Sequence, residues 1–154
     1  MPAHVIESLD GVRDHQGAEL GCTEWLEIDQ QRIELFARAT GDQRWLHVDS
    51  ERAARESPWK DTVVDGLLLL SLVPHLLPEL IEVRGWSAAV NIGADHCVFP
   101  EPVTAGTRVR LGARIARARP LPPNGARLGF DVWFEAEGRD ETIARARVNY
   151  AYFA

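Results

Sequence analysis

The stretch Gly66-Leu-Leu-Leu-Leu-Ser-Leu-Val-Pro-His-Leu-Leu-Pro-Glu-Leu80 decides the architecture. Wound as a helix, it carries apolar residues on almost every side, and a helix apolar all round is expected to be buried on all sides. Pro74 removes the N–H that would bond the carbonyl of Leu70, so the helix is expected to weaken or kink there and to depend on tertiary packing. The stretch is not a bilayer span: Ser71, Pro74, His75, Pro78 and Glu79 interrupt the run of about 18 apolar residues that a span needs.

What can cover such a helix lies downstream. Val109, Leu111, Ala113 and Ile115 alternate with Arg108, Arg110 and Arg114; Leu128, Phe130, Val132 and Phe134 alternate with Asp131, Trp133 and Glu135. Ala144, Ala146, Val148, Tyr150 and Tyr152 alternate with Arg145, Arg147 and Asn149, and Ala88 to Phe99 is a further strand candidate. Each alternation predicts a strand with one face on a core. Pro120 to Gly125 and Gly138-Arg-Asp140 read as turns. Strands grouped after helices and joined by short turns predict an α+β fold, an antiparallel sheet wrapped around one long central helix. Upstream, Thr23-Glu-Trp-Leu-Glu-Ile28 predicts a short strand. Asp29 predicts an N-cap for a helix from Gln30 to Ala39, and Asp49 one for a short helix from Ser50 to about Glu56. Residues 1–20 have little periodicity and read as a loosely ordered lead-in.

The chain has 154 residues, 45% hydrophobic and 26% charged, which suits one domain spanning 1–154 and excludes collagenous, disordered and disulfide-scaffold classes. A net charge of −6 argues against a nucleic-acid partner, and no segment argues for a membrane. The N-terminus lacks a basic segment followed by an apolar one, so no signal peptide is read and a cytoplasmic location is expected. Cys22 and Cys97 have neither metal nor redox spacing and are expected to be free thiols.

Two segments could do chemistry. Asp42 and His47 lie five residues apart across a helix-to-helix connection, where a carboxylate and an imidazole can converge on one water and exchange protons with it. The alternative is a turn aspartate after Gly41 and a structural histidine. Asp61-Thr-Val-Val-Asp-Gly-Leu67 places Gly66 at the start of the buried helix. Free backbone N–H groups there can bind a carbonyl oxygen that gains negative charge, or Gly66 can simply let the chain turn. His47 and Asp49 do not make a metal site, since Asp49 is explained as a cap and no third ligand is placed nearby. Asp95-His96-Cys97 cannot form a triad, because adjacent strand residues point to opposite faces. No metal and no redox cofactor is expected.

Together these residues resemble a known family. Ala39-Thr-Gly-Asp-Gln-Arg-Trp-Leu-His-Val-Asp49 is similar to the hydratase motif of the MaoC-like dehydratases and R-specific enoyl-CoA hydratases. Val64-Asp-Gly-Leu-Leu-Leu-Leu-Ser-Leu-Val73 resembles that family's glycine-led helix, and Val90-Asn-Ile-Gly93 with Phe99-Pro-Glu-Pro-Val-Thr-Ala-Gly-Thr-Arg108 its next strand and turn. The resemblance implies a hot dog fold and a homodimer or higher homo-oligomer. It implies hydration or dehydration of an acyl thioester, with coenzyme A or acyl carrier protein present only as part of the substrate. It carries the catalytic pair onto Asp42 and His47, the oxyanion-binding N–H onto Gly66 and the helix serine onto Ser71. Two departures stand out. Arg44-Trp45 replaces the commoner Asn-Pro, so Trp45 either narrows the acyl site or packs beneath the loop. Asp65 replaces a frequent histidine and brings negative charge beside the oxyanion position. The rival readings are a thioesterase on the same fold and a non-catalytic acyl-thioester-binding or assembly subunit.

Overall fold

The computed structural model describes residues 4–154. The first half contains β1 (His4–Ile6), a 3-10 turn (Val12–His15), β2 (Glu19–Cys22), β3 (Leu26–Ile28), α1 (Gln30–Thr40), α2 (Trp45–Val48) and α3 (Ser50–Glu56). The central segment follows as α4 (Gly66–Ser71), α5 (Val73–Leu76) and a second 3-10 turn (Leu77–Glu79). The chain ends in β4 (Ile81–Val83), β5 (Ala88–Val98), β6 (Thr107–Leu121), β7 (Gly125–Ala136) and β8 (Thr142–Phe153). β1 and β4 pair in parallel. The other strands form one antiparallel sheet in the order β2-β6-β7-β8-β5, with β3 also on β6. The inward residues of the long strands, among them Leu111, Ile115, Leu128, Phe130, Phe134 and Val148, are buried against α4 and α5.

The alternation over β6, β7 and β8 therefore means what it was expected to mean, and both predicted caps form. The Asp29 carboxylate accepts the Arg32 N–H at 2.8 Å and the Asp49 carboxylate accepts the Arg52 N–H at 2.9 Å. The strand expected from Thr23 is shorter. Thr23 is buried and meets Leu111 twice, its N–H donating to the Leu111 carbonyl at 2.8 Å and its hydroxyl accepting the Leu111 N–H at 3.0 Å; regular strand resumes only at Leu26.

Two expectations are corrected. The segment 66–80 is not one helix buried on all sides. It is broken at Leu72, just before Pro74 removes a donor, and tightens at the second proline, Pro78. The sheet covers one side of it only. Leu67, Ser71, Pro74, His75 and Pro78 form an exposed stripe at helical spacing, with Leu67 55% exposed. The lead-in is also not loose over residues 4–20. Ile6, Leu9, Val12 and Leu20 are buried. Their elements are too short to show periodicity and are held by pairing with β4 and β6. Residues 1–3 of that lead-in lie outside the described residues.

Candidate active site

Asp42 and His47 converge. α1 ends at Gly41, which takes the left-handed conformation (φ 80°) and turns the chain so that Asp42 faces back toward α2. α2 then presents His47 inward. The imidazole is buried, and its Nδ1–H donates to the Val63 carbonyl at 2.7 Å. A carbonyl can only accept, so this bond fixes the tautomer and leaves Nε2 as the free nitrogen. The clamp is braced twice: the Gln30 amide donates to the His47 carbonyl at 2.9 Å, and the Val63 N–H donates to the Leu46 carbonyl at 3.0 Å. Side-chain atoms of Asp42, His47 and Asp65 all come within 4.8 Å of one another.

A fourth group sits over this trio. The Arg44 guanidinium donates to both Asp42 oxygens, through Nε at 2.8 Å and Nη2 at 2.5 Å, and Nη2 lies 3.5 Å from His47 Nε2. These hydrogen bonds hold the Asp42 carboxyl down at about 2. Arg44 itself is pushed upward, first by its bond to Asp42 and in smaller part by the charge of Asp65. The two departures from the family pattern thus act together, one supplying a carboxylate and the other a neighbouring cation. Asp65 is also the cap of α4, accepting the Leu67 N–H at 2.8 Å. The Leu68 N–H goes to the Asp65 carbonyl at 3.0 Å. Neither bond uses the Gly66 N–H.

The crevice is closed in this chain. Its walls are Ile33, Phe36, Ala37 and Leu68 around the Asp42, His47 and Asp65 side chains, and its space is below what one water requires. Gly66 is covered by Phe99: a Cβ added at Gly66 would overlap the Phe99 ring. Water bound between Asp42 and His47, as expected from their spacing, therefore requires the guanidinium to swing aside. Its side chain is 70% exposed, so the swing breaks an ion pair already close to water and costs little. The trio also offers the donor types of a metal site. Yet Arg44 holds both Asp42 oxygens, and one Asp65 oxygen caps α4.

Two expected residues lie elsewhere. Trp45 is half-buried at the start of α2, its ring under the Arg52 guanidinium of α3 at 4.5 Å from the centroid. Ser71 is exposed, and its hydroxyl donates to the Leu68 carbonyl at 2.7 Å. Gln30, the Val63 carbonyl and Phe99 were not legible as parts of the site, because one acts through backbone and the others are brought in from distant segments.

At the far end of the central segment lies a roomier cavity of about 520 Å³, lined by Pro74, Leu77, Trp86, Ala89, Tyr150 and Tyr152. The Tyr150 hydroxyl is buried there beside Asn91. Burial and the neighbouring Tyr150 push the Tyr152 phenol up to about 12.

The MaoC-like domain family matches residues 13–120, well over half of the chain. The chain belongs to that family. The 3-hydroxyacyl-thioester dehydratase Z of Mycobacterium tuberculosis (strain ATCC 25618 / H37Rv) is 34% identical over 147 residues, covering 94% of this chain and 97% of that protein. The nodulation protein N of Rhizobium leguminosarum bv. viciae is 42% identical over 104 residues, 67% of this chain and 65% of its own. Among solved structures, the unliganded R-hydratase PhaJ1 from Pseudomonas aeruginosa superposes with a TM-score of 0.68 at 18% identity, covering 94% of this chain and 86% of that one. The fold of this MaoC-like chain is accordingly the hot dog arrangement that the motifs implied. No helix among the described residues is long and apolar enough to cross a membrane.

Proposed function

We propose that the protein is a hydratase/dehydratase of acyl thioesters, interconverting a 2-enoyl thioester and its 3-hydroxy form. The observation that carries this reading is the buried His47, whose tautomer is fixed by the Val63 carbonyl and whose ring clusters with the Asp42 carboxylate within 4.8 Å. A base and an orienting carboxylate around one small polar spot suit the activation of water. With Arg44 aside, water hydrogen-bonds to His47 Nε2 through one hydrogen and to Asp42 through the other; its oxygen adds to the β-carbon as His47 takes the first as a proton, and the second stays on the new hydroxyl. Electron density moves to the thioester oxygen, where the Gly66 N–H is free to donate. The proton taken by His47 then passes to the α-carbon, so the sum is one water added and no change of oxidation state. Once Arg44 has moved, Asp42 returns toward its ordinary 3.8, still ionised near neutral pH, and serves as acceptor rather than acid. The 3-hydroxyacyl-thioester dehydratase named above acts on a substrate of this class, and its match covers nearly the whole of both chains.

The active form is proposed to be a homodimer. β5 is an edge strand of 11 residues with nearly all of them exposed, and Val90, Ile92, Val98 and Phe99 are apolar. A long, bare, apolar edge invites pairing. Antiparallel pairing with a second copy brings the start of β5 in one chain to the end of β5 in the other. The Trp86–Tyr150 cavity of one copy then adjoins Phe99 and Gly66 of its mate, which offers the acyl tail room that the crevice lacks.

The test is incubation of the purified protein with crotonyl-CoA. The expected result is loss of the conjugated-thioester absorbance without release of thiol. Thiol release overturns the reading in favour of a thioesterase. Neither signal, across several acyl lengths, overturns it in favour of a binding subunit. Light scattering of the same sample should give twice the chain mass of 17.2 kDa.

A further inference from the structure

The face of the sheet turned away from the helices carries arginines in rows. In the rows nearer one end, four guanidiniums meet acids, while the exposed Arg145, opposite Trp133, belongs to no ion pair among the described residues. Arg108 pairs with Glu137 at 2.9 Å and Arg110 with Glu135 at 2.7 Å, while Arg114 and Arg147 share Asp131 at 2.8 and 2.7 Å. Beyond the bulge between Ile115 and Arg117 the pattern stops. Arg117 stands opposite Gly129, and Arg119 stands directly opposite Arg127. All three are exposed, and among the described residues none of them belongs to an ion pair. Like charges directly opposite across a ladder destabilise a sheet. Here the repulsion is retained where the neighbouring rows neutralise theirs.

These arginines border a hollow of about 530 Å³. That lies within the usual range of small-molecule sites, about 300–1,000 Å³. Gly93 and Gly129 contribute no side chain to it, and the Asn149 amide lies between them on β8. Asp95 also lines it, but its Oδ2 accepts from Asn149 Nδ2 at 2.8 Å, and its charge also acts on Arg147. Guanidinium forks match phosphate oxygens bidentately. Arg119 and Arg127 sit on strands about 4.8 Å apart, and Arg117 is two residues further along, a spread wider than one phosphate. We infer that this hollow is a second binding site, for a small anion carrying at least two phosphate groups. Ile92, Gly93 and Asp95 of the edge strand β5 form one border of the hollow, while Arg117, Arg119 and Arg127 lie on β6 and β7, separated from that edge by β8. The hollow lies on the opposite face from Asp42 and His47 and does not depend on the proposed reaction.

The experiment is calorimetric titration of the full chain with inorganic pyrophosphate at low salt. Saturable binding is expected, weakening as salt is raised. Arg119→Ala should reduce affinity on the order of tenfold through lost charge-assisted hydrogen bonds. The R117A/R119A/R127A variant should show no binding. That variant should keep its circular dichroism and melt no lower than the parent, because repulsion has been relieved. Arg38→Ala, on exposed α1 and equal in charge change to one of these substitutions, should bind as the parent does. Absence of binding by the parent overturns the inference, as does equal binding by the folded triple variant. Binding of polyglutamate or DNA without pyrophosphate overturns it in favour of a macromolecular partner.

Discussion

The two ends of the central segment hold opposite environments. At the Gly66 end, Asp42, Asp65, Arg44 and His47 crowd a crevice too small for water, and the Asp42 carboxyl is held charged down to about 2. At the Leu77 end, a cavity of about 520 Å³ is walled by proline, tryptophan and tyrosine, and the Tyr152 phenol is kept neutral up to about 12. One end fixes charge and the other refuses it. Chemistry on a polarised thioester needs the first property, and accommodation of a hydrocarbon tail needs the second. The break at Leu72 to Pro74 divides them.

The largest expected effect lies at the charged end. Asp42→Asn and His47→Ala should each lower kcat/KM for an enoyl thioester by at least about a hundredfold, the lower end for acid–base groups. Circular dichroism should confirm that both variants fold. A folded variant with an unchanged rate removes that residue from the mechanism, and with it the division of labour between the two ends.

At the apolar end the expected effect is on stability in alkali. Tyr152 has its ordinary value of 10.0 when unfolded and about 12 when folded. The folded chain therefore keeps a proton that the unfolded chain loses. The contribution is fully present below pH 10 and is lost as pH rises through about 12, with a magnitude on the order of 2 kcal/mol. Denaturation of Tyr152→Phe compared with the parent across that window checks it. Equal alkaline losses would mean that the cavity is open to water and is not an apolar end at all.

Gly66→Ala probes where the charged end meets the sheet. A methyl there collides with the Phe99 ring, which is 38% exposed and able to turn away. The fold should survive, while displacement of the ring and the first amide should lower kcat/KM on the order of tenfold. A rate equal to the parent's would show that neither Phe99 nor the Gly66 N–H touches the substrate.

How much of this was legible in sequence follows from the range of each interaction. The strands of the second half were readable because alternation is local and burial enforces it. Asp42 and His47 were legible from spacing only as a pair that can converge, beside the alternative of a turn aspartate and a structural histidine; the family resemblance favoured the pair, and the turn at Gly41 brings the two together. The exposed stripe from Leu67 to Pro78 was not readable, since hydropathy records what a residue tolerates and not which neighbour covers it. The lead-in was missed for the complementary reason: three- and four-residue strands have no period, and their order comes from β4 and β6. Asp65 was recognised as a charge beside the oxyanion position, but its bond to the Leu67 N–H and the field of Arg44 depend on rotamers that spacing does not set.

Arg44 gives the smallest and sharpest test. Its bonds to Asp42 are the first cause of that group's low value, so Arg44→Ala should let Asp42 titrate near its ordinary 3.8 instead of about 2. Because the folded value lies below the unfolded one, the pair contributes stability that is complete above pH 3.8 and is lost as pH falls through about 2. In the variant that window closes, and acid unfolding begins without it. The exposure of the guanidinium keeps the energetic effect small, so the carboxyl carbon resonance of Asp42 is the better observable than the melt. Superimposable titration curves for parent and variant would mean that the guanidinium does not rest on Asp42 in solution. The crevice would then stand open without any swing, and the contrast between a charge-fixed end and an apolar end would reduce to His47 and its carbonyl clamp.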